Sequence, residues 1–183
     1  ERIRYGDRKA TPALLGVGNS YQEVVNHWVG RGRFFSDLDH AGRARVCLVG
    51  ERIVEELRLG ANPLGKDIVV GTTTFTVVGV MEKMGEFLGQ NRDELVVVPF
   101  ATAREIYGDE AMRQIRLDFK ARSPEDVERA RDLMTAVLRE RHGIKPGGSN
   151  DFRVILQEEI LKTTSSILGT ITQVVGAVVG IAL

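Results

Sequence analysis

A chain of 183 residues suffices for one ordinary domain or two small lobes, and with 43% hydrophobic and 27% charged residues it falls among globular rather than disordered proteins. Its 25 basic residues are matched by 25 acidic ones spread along the chain, so the one-sided basic excess of a nucleic-acid binder is absent. The single cysteine, Cys47, excludes an intramolecular disulfide, and its place in Val46-Cys-Leu-Val49 predicts burial as a small hydrophobe rather than a reactive thiol.

The opening Glu1-Arg-Ile-Arg-Tyr5 lacks a charged n-region followed by an apolar h-region, so no signal peptide is expected. Ala13, Leu15 and Val17 alternate towards Gly18, a strand running into a helix. Ser20-Tyr-Gln-Glu23 reads as a capping box, and Tyr21, Val24, Val25 and Trp28 fall on one helical face that Gly30 and Gly32 terminate. Ser36-Asp-Leu-Asp39 reads as a solvated turn. A buried strand Val46–Val49 follows, then a short helix carrying Ile53, Val54 and Leu57 and closed by Gly60. Lys66–Val70 and Phe75–Val80 form a hairpin across Gly71-Thr-Thr-Thr74, with Ile68, Val70, Phe75 and Val77 inward. Leu95–Val98 is a buried strand stopped by Pro99, and Ala101–Tyr107 a helix ended by Gly108. Ile115, Leu117 and Phe119 alternate with Arg116, Asp118 and Lys120 as a strand would. Ser123-Pro-Glu-Asp126 carries three agreeing start signals for a helix to about Arg141 that buries Val127, Ala130, Met134 and Val137. A strand with Phe152, Val154 and Leu156 completes a β-α-β unit. The fold class expected is α+β in two subdomains, strand-helix-strand units near both ends with a β-rich insert between them.

Several motifs are tempting. Gly60-Ala-Asn-Pro-Leu-Gly65-Lys66-Asp67 meets all but the last position of a P-loop. The surroundings are inverted, however, with a helix before and a strand after, and Asp67 stands where magnesium needs a hydroxyl, so no nucleotide is expected. Gly16-Val-Gly18 lacks the rest of a dinucleotide fingerprint. His27, His40 and His142 have no metal-ligand spacing, and Asp37, Asp39 and His40 read as a turn before they read as a cation site. No nucleophile motif occurs, and Glu158 and Glu159, being adjacent, splay apart on a helix, so neither a catalytic residue nor a cofactor or metal is expected. In the Gly-punctuated stretch 81–92, Met81, Met84, Phe87 and Leu88 offer an adaptable apolar surface for a partner, against the alternative that they fold back on the core.

From Thr163 onward the chain carries no charge, and from Ile167 to Leu183 a helix would cover about 25 Å of a roughly 30 Å hydrocarbon layer. This reads as the start of a membrane span, 164–183, cut from a longer chain; Thr170, Thr172 and Gln173 keep open a buried terminal helix. Gln157–Thr163, with Glu158, Glu159 and Lys162, reads as a helical stalk leading into it.

Taken in order, Gly32-Arg-Phe-Phe-Ser-Asp37, Val46-Cys-Leu-Val-Gly50, Pro63-Leu-Gly-Lys66, Phe75-Thr-Val-Val-Gly-Val80 and Val96-Val-Val-Pro99 resemble the periplasmic core domain of MacB-like ABC transporter permeases, of the FtsX-like superfamily. The resemblance covers nearly the whole chain and explains the near-P-loop as a Pro-x-Gly-Lys turn before a hairpin. It implies an extracytoplasmic domain, 1–163, made of a porter-like lobe with a smaller inserted lobe over 45–98, on the outer side of a bacterial cytoplasmic membrane. The implied role is mechanical and non-catalytic: a cytoplasmic ABC ATPase hydrolyses ATP, and the domain couples that motion to export, lipoprotein release or activation of a partner. The implied partners are the ATPase, the membrane through the C-terminal helix, a periplasmic adaptor, lipoprotein or hydrolase, and a second copy in a dimer; nucleic acid is not among them. The rival expectation is a stand-alone ligand-binding domain or enzyme.

Overall fold

Runs of β-branched residues set the framework of the computed structural model, which describes residues 1–87, 90–108 and 115–156. The chain divides into two compact units, Glu1–Lys120 and Ala121–Leu183. The first contains β1 (Ile3–Tyr5), β2 (Arg8–Ala10), β3 (Ala13–Val17), α1 (Tyr21–Val25), β4 (Val29–Gly32), α2 (Asp37–Ala41), β5 (Val46–Val49), α3 (Glu51–Glu56), β6 (Asp67–Val70), β7 (Thr73–Met81), β8 (Glu86–Phe87), β9 (Gln90–Asn91), β10 (Leu95–Pro99) and α4 (Phe100–Tyr107). An eight-stranded mixed sheet runs β2-β1-β6-β7-β5-β10-β3, with β4 paired to the far half of β7. β10 lies parallel to β3 and antiparallel to β5, which is itself parallel to β7.

The central strands are covered on both faces, which is why β5 and β10 read as unbroken apolar runs. One face packs Cys47, Val49, Val96 and Val98 under Ile53 and Val54 of α3, Leu57, and Ala103 of α4. The other gathers Val17, Phe35, Leu48, Met81, Leu95 and Val97. α4 sits so close on β3 that a Cβ at Gly16 would stand 2.7 Å from that of Ala103.

Segment 45–98, expected as a separate inserted lobe, instead supplies β5, β6, β7 and β10, the interior of the same sheet that β1 and β3 join. The chain divides at Lys120/Ala121 instead, because these strands pair edge to edge in one sheet under a shared cover of α3 and α4 and leave no seam between them. α1 is shorter than its apolar spacing suggested. Asn26 ends it in the left-handed conformation, Ser20 makes no side-chain cap, and Trp28 is exposed at the entry to β4, where Gly30 and Gly32 lie as strand residues. Ile115, Leu117 and Phe119 are all more than half exposed and residues 115–120 belong to no strand, so their alternation alone has not produced a ladder.

In the second unit a 3-10 turn, Pro124–Asp126, opens α5 (Val127–Arg141) where the start signals placed it. The helix buries none of its residues, contrary to the expectation for Val127, Ala130, Met134 and Val137, and Val137 is 52% exposed. Residues 151–156 keep the alternation of Phe152, Val154 and Leu156 without forming a strand, so there is no sheet among the described residues of this unit to cover the helix. The returning chain is tied to the helix end by Arg139, which donates to the carbonyls of Lys145 and Gly148 at 2.9 Å each.

Candidate functional surface

The near-P-loop is a structural turn. α3 precedes it and β6 follows, the Gly65 amide donates to the Val77 carbonyl at 2.8 Å, and the Lys66 amide to that of Pro63 at 3.3 Å. The Lys66 ammonium donates to the Leu59 carbonyl at 2.5 Å and stands 5.6 Å above the Tyr5 ring. The Gly65 and Lys66 amides and the Lys66 ammonium, three donors a phosphate would use, are thus engaged within the chain.

Ser36–Asp39 is a capped helix rather than a solvated turn. Ser36 accepts from the Asp39 amide while the Asp39 carboxylate accepts from the Ser36 amide at 2.8 Å, a reciprocal cap. Arg33 donates to the same carboxylate at 2.6 and 3.3 Å. The Arg33 guanidinium, helped by Ser36 and opposed by burial, holds the Asp39 carboxyl well below the usual carboxylate range. Asp37 accepts from Asn19. Both acids that were weighed as cation ligands against a turn have partners, and among the described residues no group of three His, Cys, Asp or Glu side chains could hold a metal ion. Cys47 is fully buried, and that burial pushes its thiol pKa up.

Within stretch 81–92, β8 pairs antiparallel with β9, and this small hairpin stands on a built foot. Asp93, 3% exposed, accepts from the amides of Met84 at 2.7 Å and Gly85 at 3.0 Å, and Arg92 donates from its amide to the Gly85 carbonyl. On the strand side, His27 Nε2 lies 3.2 Å from the Glu82 carbonyl oxygen, and the Glu82 amide donates to that of Trp28. Met81 is not available to a partner: it is 1% exposed, so that assignment is corrected. A bulge between Cys47 and Leu48 shifts the register against β7 and turns Met81 onto the face of Leu48. Met84 is half-buried, Phe87 lies in β8, and Leu88 falls outside the described residues. Glu158, Glu159 and Lys162, and the apolar run 164–183, also fall outside them; among the described residues no helix is long and apolar enough to cross a membrane.

Sequence reasoning missed Asp93 and His27, the groups that fix the hairpin's foot. The signal for Asp93 was an Asx-type turn at Asn91-Arg-Asp93, where the Asn91 side chain accepts from the Asp93 amide at 2.9 Å. For His27 there was none, since its partner lies 55 residues away.

The arrangement offers an apolar, double-faced sheet, engaged carboxylates and one clamped hairpin. Comparisons with known proteins agree with it. The family model of the MacB-like periplasmic core domain matches residues 2–137. A macrolide export ATP-binding/permease protein MacB of Nitrosomonas europaea is 31% identical over 163 residues, covering 87% of this chain and 24% of its own length. A pyoverdine export ATP-binding/permease protein PvdT of Pseudomonas putida is 27% identical over 184 residues, 99% of this chain and 27% of its own. The chain thus spans about a quarter of the length of the curated relatives it matches. Among solved structures, the periplasmic region of MacB from Actinobacillus actinomycetemcomitans aligns with a TM-score of 0.67 at 21% identity, over 90% of this chain and 71% of that one. The extracellular domain of the ABC-type transporter YknZ from Gram-positive bacteria aligns with a TM-score of 0.64 at 22% identity, over 79% and 72%. At these identities the likeness is one of fold.

Proposed function

Because the chain belongs to the family of MacB-like periplasmic core domains, we propose that it is the extracytoplasmic domain of an ABC-type export permease and works by transmitting motion rather than by catalysis. The observation that carries this reading is the family match over residues 2–137, which spans the whole eight-stranded sheet. A sheet packed on both faces moves as one body, which suits a part that must pass on a displacement. In this reading an ATPase on the cytoplasmic side of a bacterial membrane drives the membrane helices, and Gln157–Thr163 links them to the domain as a stiff stalk through Glu158, Glu159 and Lys162. The β8–β9 hairpin, with Met84, Phe87 and Leu88, is the docking point for an adaptor or other partner outside the membrane, and two copies act together in the intact transporter.

The test is uncoupling. Three glycines inserted after Lys162 in the full-length transporter should leave expression and ATP hydrolysis intact while transport per ATP consumed falls. Transport at the parental ratio would overturn rigid coupling and leave the domain a passive platform.

A further inference from the structure

The last turn of α5 is tied to the returning chain at two separate points. Arg139 is half-buried, and its planar fork donates from Nη2 to the Lys145 carbonyl and from Nη1 to the Gly148 carbonyl, at 2.9 Å each, and from Nη1 to the Asn150 side-chain oxygen. His142, at the end of the helix, meets the Asp151 carboxylate through Nδ1 at 2.8 and 3.0 Å. A carboxylate only accepts, so Nδ1 carries the proton and donates. The Phe152 ring stands edge-on to the His142 ring, 5.7 Å between centroids and 78° between planes.

The segment these ties cross has the composition of a slack linker. Gly143-Ile-Lys-Pro-Gly-Gly-Ser-Asn150 carries Gly143, Gly147 and Gly148, and Gly143 and Gly147 lie at φ 65° and 81°, where a side chain would be strained. Left to itself, such a chain would let α5 and residues 151–156 move independently. It is drawn tight instead. The Ile144 amide donates back to the Arg139 carbonyl at 2.9 Å, and the Gly148 amide to the Lys145 carbonyl at 2.9 Å, so the turn that Arg139 grips is itself closed.

Arg139 and His142 are three positions apart, so they share one helix face and their ties leave α5 about 4.5 Å apart along its axis. A single tie is a pivot about which the chain can swing. Two displaced ties, landing on the neighbours Asn150 and Asp151, fix a direction. Exposed polar contacts of this kind add little to stability, because water competes for each group. What they supply is geometry: a displacement of Asp151 and Phe152 reaches the end of α5 without first taking up slack.

We propose that Arg139 and His142 are the positioning residues of a two-point joint, which hands motion arriving along the chain from Gln157–Thr163 on to α5. The inference rests on the reading of the domain as a transmitter of motion, and it names the place inside the second unit where that motion passes from one element to the next.

Transport per ATP consumed in the full-length transporter tests the joint, with the three-glycine insertion after Lys162 as reference. Arg139→Met keeps the aliphatic stem and removes the fork, and His142→Leu removes the second donor. The double variant should hydrolyse ATP at the parental rate while the ratio falls at least about 3-fold, and each single variant should lose less. Parental coupling in the double variant of a transporter that the insertion uncouples overturns the joint and spares the transmission reading; parental coupling in both overturns the two together. Should the double variant fail to fold, a charge swap decides. His142→Asp alone should uncouple, and adding Asp151→His should restore the ratio by rebuilding the pair in reverse; a swapped protein that is expressed yet stays uncoupled overturns the proposal. Hydrogen exchange of the 183-residue chain gives a structural reading. Arg139→Met should speed exchange at Gly148 while Thr135, inside α5, keeps the parental rate. Unchanged exchange at Gly148 would show that the fork does not hold the loop and would overturn the joint.

Discussion

Gly50→Ala probes how firmly the hairpin's foot is built into the sheet. Gly50 joins β5 to α3 with an ordinary backbone conformation, φ −74° and ψ 158°, so an alanine there suffers no dihedral strain. The obstacle is space: a Cβ would stand 2.0 Å from the Asp93 carbonyl oxygen and 2.7 Å from its carbon. The Asp93 backbone must retreat by roughly 1.5 Å to restore van der Waals contact. That movement drags on the Gly50 amide's bond to the Leu95 carbonyl, 2.9 Å, and on the carboxylate that holds Met84 and Gly85. Overpacking against backbone costs about 1–3 kcal/mol, which for a chain of this size lowers Tm by roughly 3–10 °C. Thermal melts of parent, Gly50→Ala and Gly18→Ala measure it, since a Cβ at Gly18 meets nothing within 4 Å and serves as the neutral control. Faster hydrogen exchange at Met84 and Gly85 should accompany the fall. If Gly50→Ala melts within about 1 °C of the parent, the contact between Asp93 and the start of α3 is not as tight as the geometry requires.

Met81→Ala should cost about 2–4 kcal/mol in a denaturant titration, because it empties a buried site, whereas Met84→Asp should cost about 1 kcal/mol or less; the reverse order would refute the division of this stretch into core and surface. Asp39 has a folded pKa below its unfolded value near ~3.9, chiefly through Arg33, so its stabilisation is present above that pH and is lost as the pH falls below about 4. With Arg33 half exposed the contribution is screened to about 1 kcal/mol, and Asp39→Asn should flatten the decline of Tm between roughly pH 5 and 2; an unchanged slope would show that other carboxylates carry it.

The family was legible in the sequence because its signs are local. The Pro-x-Gly-Lys turn at Pro63–Lys66, the hairpin around Gly71 and the unbroken apolar runs of β5 and β10 each follow from residues a few positions apart. The same holds for Ile68, Val70, Phe75 and Val77, whose burial in β6 and β7 the period of two announced. Helix starts at Ser123-Pro124 and ends at Gly108 were likewise written in single side chains.

What only the tertiary structure decided is which strands share a sheet and which alternating stretches find a neighbour. β5 and β10 could equally have belonged to an inserted lobe; their pairing with each other, with β7 and with β3 places them at the centre instead. Met81 is core rather than surface because it closes β7, whose two faces are both covered, and one bulge opposite Cys47 and Leu48 only selects which face it joins; Asp93 became the hairpin's anchor because Gly50 leaves room for its backbone. Ile115, Leu117 and Phe119 carry as good a strand pattern as any in the chain yet stand exposed. A period specifies the face a residue would turn inward; only a partner's backbone, brought from elsewhere in the chain, supplies the hydrogen bonds that make the strand.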